Sequence, residues 1–185
     1  MRRKAAFIDR DGVLNEERAF VHRFEDFAFV PGAIEALQAL KAGGYLLVVV
    51  TNQSGIARGL YSEADYQALT DRMRAQLEAQ GAALDSIEYC PHLPDAPVVR
   101  YRIECDCRKP KPGMLERAIK ALDIDPRASF LVGDRLSDLE AGRAIGIGRC
   151  FLVRTGYPLP EAAEARADGV YDDLLGCAKA VLSVR

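Results

Sequence analysis

An α/β fold, with a Rossmann-like parallel sheet flanked by helices, is what this sequence predicts, on three observations. Short apolar runs alternate with amphipathic stretches of helical length, the order of elements that gives a parallel sheet covered by helices. At 185 residues, 49% of them hydrophobic, the chain is one domain's worth and long enough to bury a sizeable core. Asp9, Thr51 and Asp134 each fall just past the C-terminal end of an expected strand, the edge where open α/β sheets bind ligands.

Taken in order, Lys4 to Ile8 reads as a buried strand ending at Asp9. Ala33 to Ala42 carries Ile34, Leu37 and Leu40 at helical spacing and stops at Gly43-Gly44. Leu46 to Val50 is the second strand, ending at Thr51. The next helix opens with Ser62 and Asp65 as a capping box and runs to about Gln80, before Gly81. Ser86 to Tyr89 is a third strand. From Cys90 to Pro112 there are five prolines and no periodicity, so a long loop is expected, ordered by its Cys and His content. Met114 to Leu122 is helical, Ser129 to Val132 is a strand ending at Gly133-Asp134, and Ser137 to Ile145 is a helix. Cys150 to Val153 forms a further strand and Asp172 to Leu182 a terminal helix. With no internal repeat, low-complexity tract or linker, residues 1–185 read as one domain.

Composition narrows the partners. The formal net charge is -2, from 25 Lys and Arg against 27 Asp and Glu, with no local basic run, so the basic excess that nucleic-acid binding needs is missing. The charged start of the chain is followed by an apolar stretch, Ala5 to Ile8, too short for a signal sequence. The longest apolar run, Tyr45 to Val50, is far below the roughly twenty residues of a membrane span. A soluble, cytoplasmic protein is expected, with a small-molecule partner, no nucleic acid and no membrane. Without an obvious exposed apolar helix, a monomer is the default. Five cysteines, three of them crowded between residues 90 and 107 around a histidine, make a poor disulfide framework and point to a metal.

Asp9-Arg10-Asp11-Gly12 places two carboxylates one residue apart, and in an extended segment both lean to the same face. Thr51-Asn52-Gln53-Ser54-Gly55 offers a hydroxyl, amides and backbone N–H groups after a second strand, suited to phosphate oxygens. Arg108-Lys109-Pro110-Lys111-Pro112 supplies positive charge on a proline-held backbone. Asp134 and Asp138 add carboxylates that, with Asp9, suffice to hold Mg2+ through oxygen. Singly, Thr51 is a helix cap, Lys109 a surface charge and Asp134 a turn residue. Those ordinary readings leave unexplained why all fall at strand ends or loops of one sheet.

The strings D-R-D-G-V, V-V-V-T-N-Q-S-G, C-R-K-P-K-P-G and V-G-D-R-x-x-D resemble, in order, the four motifs of the haloacid dehalogenase (HAD) superfamily of aspartate-nucleophile phosphatases. The longer strings D-R-D-G-V-L-N, T-N-Q-S-G-I-A-R-G, C-P-H and C-D-C-R-K-P are similar to the heptose-bisphosphate phosphatases and the related histidinol phosphatases over nearly the full chain. The resemblance implies an aspartyl-phosphate mechanism with Asp9 as nucleophile and Asp11 as general acid and then base. It implies Mg2+ on Asp9, Asp134 and the backbone carbonyl of Asp11, with Thr51 and Lys109 holding the transferring phosphoryl group and Asp138 supporting the site from behind. With no long insertion after Gly12 or before the cysteine loop, the enzyme would be capless and would reach its sugar bisphosphate through short loops. The substrate-binding candidates are Glu17, Arg18, Ala19 and Phe20, then Thr51, Asn52, Gln53, Ser54 and Arg58, then Arg108 and Lys109, and Arg135, which stands where the heptose enzymes often carry lysine. Arg108 is cast as reading the distal phosphate or sugar hydroxyls.

Cys90, His92, Cys105 and Cys107, in a loop spanning about residues 90–110, make three thiolates and one imidazole, a donor set typical of structural tetrahedral zinc. Chance supplies both C-x-H and C-x-C in under about one chain in a hundred. A closed four-ligand site leaves no position for substrate, so zinc is expected to fold the loop rather than catalyse. Because Cys107 abuts Arg108 and Lys109, it would also place those cations. Cys150 and Cys177 read as small apolar core residues, and His22 as a surface or substrate-loop residue, the surface reading preferred. Removal of the C7 phosphate of heptose 1,7-bisphosphate, a step toward nucleotide-activated heptose for lipopolysaccharide, is the leading reading. Histidinol-phosphate hydrolysis is the rival, disfavoured by the twelve residues between His92 and Cys105, where the histidinol enzymes carry a shorter loop. A zinc-stapled binding module without catalysis is the remaining alternative.

Overall fold

The computed structural model describes residues 2–183, so Met1 and residues 184–185, the ends of the 1–185 span, lie outside it. Six parallel strands form one sheet in the order β3-β2-β1-β4-β5-β6. They are β1 (Ala5–Ile8), β2 (Leu46–Asn52), β3 (Ser86–Cys90), β4 (Phe130–Gly133), β5 (Arg149–Val153) and β6 (Val170–Tyr171). The helices are α1 (Ala33–Ala42), α2 (Ser54–Ala57), α3 (Glu63–Ala79), α4 (Gly113–Leu122), α5 (Leu136–Ala144), α6 (Glu161–Glu164) and α7 (Leu174–Ser183), with 3-10 turns at Phe24–Asp26 and Val99–Tyr101.

Alternation along each strand divides the core between the two faces of the sheet. Ala6, Ile8, Leu47, Val49, Phe130, Val132, Phe151 and Val153 pack with Leu37 and Leu40 of α1, Met73 and Leu77 of α3, and Leu174 and Val181 of α7. Ala5, Phe7, Val48, Val50, Leu131 and Leu152 pack on the opposite face with Met114, Leu115 and Ala118 of α4 and Leu139 of α5. All four residues of β1 are fully buried, as the central strand of a sheet covered on both faces must be. A satellite core of Ile56, Ala57, Tyr61, Tyr66, Leu93 and Tyr101 ties α2 and α3 to the cysteine loop.

The elements expected from sequence all form, with boundaries moved by pairing. Strand β2 runs two residues past Val50 because Thr51 and Asn52 find ladder partners in Tyr89 and Cys90 of β3. The Ser62 and Asp65 box closes as expected, Asp65 N–H donating to Ser62 Oγ at 3.1 Å and Ser62 N–H to Asp65 Oδ2 at 2.8 Å. The short elements α2, α6 and β6 carry no periodicity of their own and were not expected. The segment from Asp9 to Gly32 contains turns, isolated β-bridges and one 3-10 helix, so no cap domain is inserted there. No helix among the described residues is long and apolar enough to cross a membrane.

Topology fixes where ligands bind. Strand β1 lies between β2 and β4, with Ile8 in register with Val49 and with Val132. The strand order reverses at this point, and the splayed connections leave a crevice beyond the carboxyl ends of these strands.

Candidate active site

A cavity of about 330 Å³ opens at that crevice. Asp9 follows β1, its N–H donating to Val132 O of β4 at 3.0 Å. Asp11 also lines the cavity, although the expected extended segment is absent. The N–H groups of Leu14 and Asn15 both donate to Arg10 O, at 2.8 and 3.1 Å, so a turn begins at Arg10 and Asp11 lines the cavity from within it. Gly12 permits that turn with φ of 84°, and a Cβ there would lie 2.5 Å from Asp134 Oδ2.

Lys109 is 4% exposed, and its ammonium donates to Asp9 Oδ1 at 3.0 Å, Asp138 Oδ1 at 2.6 Å and Val50 O at 2.9 Å. Its backbone is clamped to β2 by a reciprocal pair, Lys109 N–H to Asn52 Oδ1 at 3.1 Å and Asn52 Nδ2 to Lys109 O at 3.2 Å. Burial works against the ammonium, but Asp138 and Asp9 outweigh it and hold its pKa above the ordinary lysine value. Asp138 also caps α5, accepting from the N–H groups of Asp134 and Arg135 at 3.2 and 3.0 Å.

Asp9, Asp134 and Asp138 each bring a carboxylate oxygen within 4.8 Å of the others. Burial raises Asp9 well above the usual carboxylate range, against the pull of Lys109, and burial with the charge of Asp138 pushes Asp134 up to about 6. Asp134 Oδ2 accepts the Tyr157 N–H at 3.0 Å, whereas Oδ1 is buried without a hydrogen-bond partner among the described residues, the exposed Arg135 Nε lying 3.9 Å away. A hard divalent cation suits such a set, since it supplies the positive charge that one lysine does not fully provide. A stability prediction follows. Asp134 holds its proton more tightly folded than unfolded, so without divalent metal its contribution is present near pH 4 and lost as pH rises through about 6. A divalent cation held there would have to displace that proton, so the rise in melting temperature on adding Mg2+ should be full near about pH 7.5 and small near about pH 5. An equal rise at both values in thermal-shift titrations would contradict the assignment.

The remaining sequence candidates divide. Thr51, Asn52, Gln53 and Ser54 line the cavity from the end of β2 and the start of α2, and Glu17, Phe20, Arg108 and Arg135 line it as well. Burial raises Glu17, whose carboxylate accepts the Ala19 N–H at 2.7 Å. Ala19 and Phe20 take φ of 52° and 58°, a strained pair that reverses the chain at the cavity wall. Arg18, Ala19 and Arg58 do not line it. Arg18 is ion-paired to Glu16 at 2.5 Å, and the Arg58 guanidinium lies over the Phe20 ring at 5.8 Å. Arg108 Nη1 is buried with no partner among the described residues, an unspent donor beside the cavity.

Several residues here escaped sequence reading. Arg10 is 1% exposed and holds Asp11 from behind, Nη2 to Oδ1 at 2.9 Å, with Val21 O as a further acceptor at 2.8 Å. Tyr61, Ser137 and Tyr157 also line the cavity, Tyr157 stacking under the Arg135 guanidinium at 3.7 Å. The segment Thr155-Gly156-Tyr157 follows β5, so the rule that found Asp9, Thr51 and Asp134 would have found it. His22 is half-buried, with its ring stacked on Tyr61 at 4.9 Å.

The cysteine loop brings its donors together, Cys107 Sγ to Cys90 Sγ 3.0 Å, Cys90 Sγ to Cys105 Sγ 3.5 Å, and His92 Nδ1 to Cys107 and Cys90 Sγ 3.5 and 3.9 Å. All four lie within 4.8 Å of one another and can hold a metal ion. Burial, and then the hydrogen bond to Cys107, raises the Cys90 thiol. At Cys105, hydrogen bonds from Cys107 and the Arg108 backbone overcome burial and bring the thiol down to about 7.

A family model described as HAD-hydrolase-like matches residues 106–177. The chain is 48% identical over 183 residues to D-glycero-beta-D-manno-heptose-1,7-bisphosphate 7-phosphatase of Pasteurella multocida, covering 99% of each. It is 48% identical over 161 residues to the alpha-anomer phosphatase of Photorhabdus laumondii, covering 87% of this chain and 88% of that one. Among solved structures, D,D-heptose 1,7-bisphosphate phosphatase from B. bronchiseptica, complexed with magnesium and phosphate, superimposes with a TM-score of 0.82 at 34% identity, covering 98% and 99% of the two chains.

Proposed function

The chain belongs to the heptose-1,7-bisphosphate 7-phosphatase family of HAD-like hydrolases, and from that premise we propose that it removes the C7 phosphate of D-glycero-D-manno-heptose 1,7-bisphosphate through an aspartyl-phosphate on Asp9. The observation that carries this reading is the convergence of Asp9, Asp11, Thr51 and Lys109 on one cavity from three separated segments. Relatives of this identity and length are heptose enzymes by name, which favours this substrate over histidinol phosphate.

In the first step a carboxylate oxygen of Asp9 bonds to phosphorus while the bond from phosphorus to the C7 oxygen breaks. Asp11 gives that oxygen its proton, so heptose 1-phosphate leaves with a neutral C7 hydroxyl rather than an alkoxide. In the second step Asp11 takes a proton from water, the oxygen attacks phosphorus, and Asp9 is released with inorganic phosphate. Lys109 and the Thr51 hydroxyl hold the equatorial oxygens, where charge rests in the transition state. Arg108, with its unspent buried donor, and Arg135 bind the remote phosphate as guanidinium forks. Asp9 and Asp134, with the Asp11 carbonyl, would hold Mg2+, which supplies the charge neutralisation that lets a carboxylate approach a phosphate dianion.

For the cysteine loop we propose zinc. Zn–S and Zn–N bonds of about 2.3 and 2.0 Å imply tetrahedral edges of roughly 3.5–3.8 Å, close to most of the donor separations above. Chelation with confirmed zinc loss is expected to lower the melting temperature by about 10 °C or more, with Mg2+ binding affected only afterwards. An unchanged melting temperature would refute the structural role.

The overall test is phosphate release from both anomers of heptose 1,7-bisphosphate, histidinol phosphate and fructose 1,6-bisphosphate. The expected result is a kcat/KM for a heptose anomer at least about tenfold above the others. Preference for histidinol phosphate would overturn the reading.

A further inference from the structure

Tyr61 lies eight residues beyond Gln53, is 7% exposed, and has no part in the chemistry above. Its phenol donates to Gln53 Oε1 at 2.5 Å. Gln53, 2% exposed, donates from Nε2 to Asp11 Oδ2 at 2.9 Å and to Thr51 Oγ1 at 2.8 Å. All of this amide's polar atoms are therefore engaged in one orientation only. Turned over, Gln53 would set its carbonyl oxygen against the Asp11 carboxylate and leave its NH₂ facing a hydroxyl that is itself a donor. The phenol is held in place on two sides. The Gly55 backbone packs so closely that a Cβ there would lie 2.1 Å from Tyr61 Cε1, and the His22 ring stacks on Tyr61 within 7° of parallel.

We propose that Tyr61 is a positioning residue, acting through the Gln53 amide to hold the Asp11 carboxylate where it meets the leaving oxygen. The inference rests on the reading of Asp11 as general acid. A sugar alkoxide needs a proton to leave, whereas nitrophenolate leaves unprotonated, so a misplaced acid slows the release of one and spares the other. A loss of packing does not discriminate between them.

The experiment compares kcat/KM, which reports steps through release of the alcohol, for heptose 1,7-bisphosphate and p-nitrophenyl phosphate. Tyr61→Phe keeps the ring and should lower the value for the sugar about tenfold, the worth of one buried hydrogen bond, and that for the nitrophenyl ester less than about twofold. In a Gln53→Leu background, Tyr61→Phe should add nothing further, as expected of two residues acting in series. Equal losses on both substrates, no loss on either, or additive losses in the double variant would overturn the inference. Asp11→Asn is the control. If its loss is selective for the sugar while Tyr61→Phe is silent, the Tyr61 inference alone falls. If Asp11→Asn is not selective, the acid assignment falls and takes the Tyr61 inference with it.

Discussion

Asp9→Asn is expected to lower kcat for heptose 1,7-bisphosphate by at least about 10⁴-fold while the fold stays intact. The amide keeps the size of the carboxylate but lacks the charged oxygen that bonds to phosphorus, so the two-step route closes and only slower routes remain. Stability should hold or rise in metal-free protein. Burial raises Asp9 well above the ordinary range, and Asp138 and Asp134 add to that, so a neutral side chain relieves repulsion in the cluster. Steady-state turnover above about 1% of the parent rate would remove Asp9 from the nucleophile's place. Urea unfolding of the same preparation would separate this from misfolding.

Lys109→Ala is expected to act on both activity and stability. The ammonium is the only cation within hydrogen-bond reach of Asp9 and Asp138 among the described residues. Deleting one partner of a buried ion pair leaves uncompensated charge and costs about 3–5 kcal/mol. Protonation of Asp9, which burial already holds above the ordinary carboxylate range, would recover part of that at low pH, so the deficit should shrink as pH falls. Turnover should drop by about 10³-fold or more, because the proposed mechanism has the same ammonium hold transition-state charge. With Mg2+ saturating, recovered stability alongside absent turnover would separate the two roles. A variant of parental stability and activity would show the cluster to be held by other means.

Much of this was legible in one dimension because the signals are local. Strand periodicity reports which residues are buried, and a polar residue at the end of an apolar run marks the carboxyl edge of a sheet. Asp9, Thr51 and Asp134 follow from that alone. The cysteine loop was legible because two of its ligand pairs are adjacent in sequence and thiolate with imidazole is a narrow chemical choice. Arg10 shows the limit. It stands between two aspartates with no local mark of burial, yet it is 1% exposed and its Nη2 donates to Val21 O, eleven residues along the chain.

What the sequence determined by itself, then, is the order of elements, the ligand-binding edge of the sheet and the four sulfur and nitrogen donors, while the nucleophile's role for Asp9 came from the family resemblance. Tertiary structure alone decided that Asp138 pairs with Lys109, that Tyr61 reaches Asp11 through Gln53, and that Arg18 and Arg58 stay outside a cavity that Phe20 and Arg135 line. The physical reason is that periodicity carries only the burial of a residue along its own element. Which buried or half-buried side chains become neighbours depends on the packing of segments far apart in the chain, and a single sequence holds no local signal of that distance.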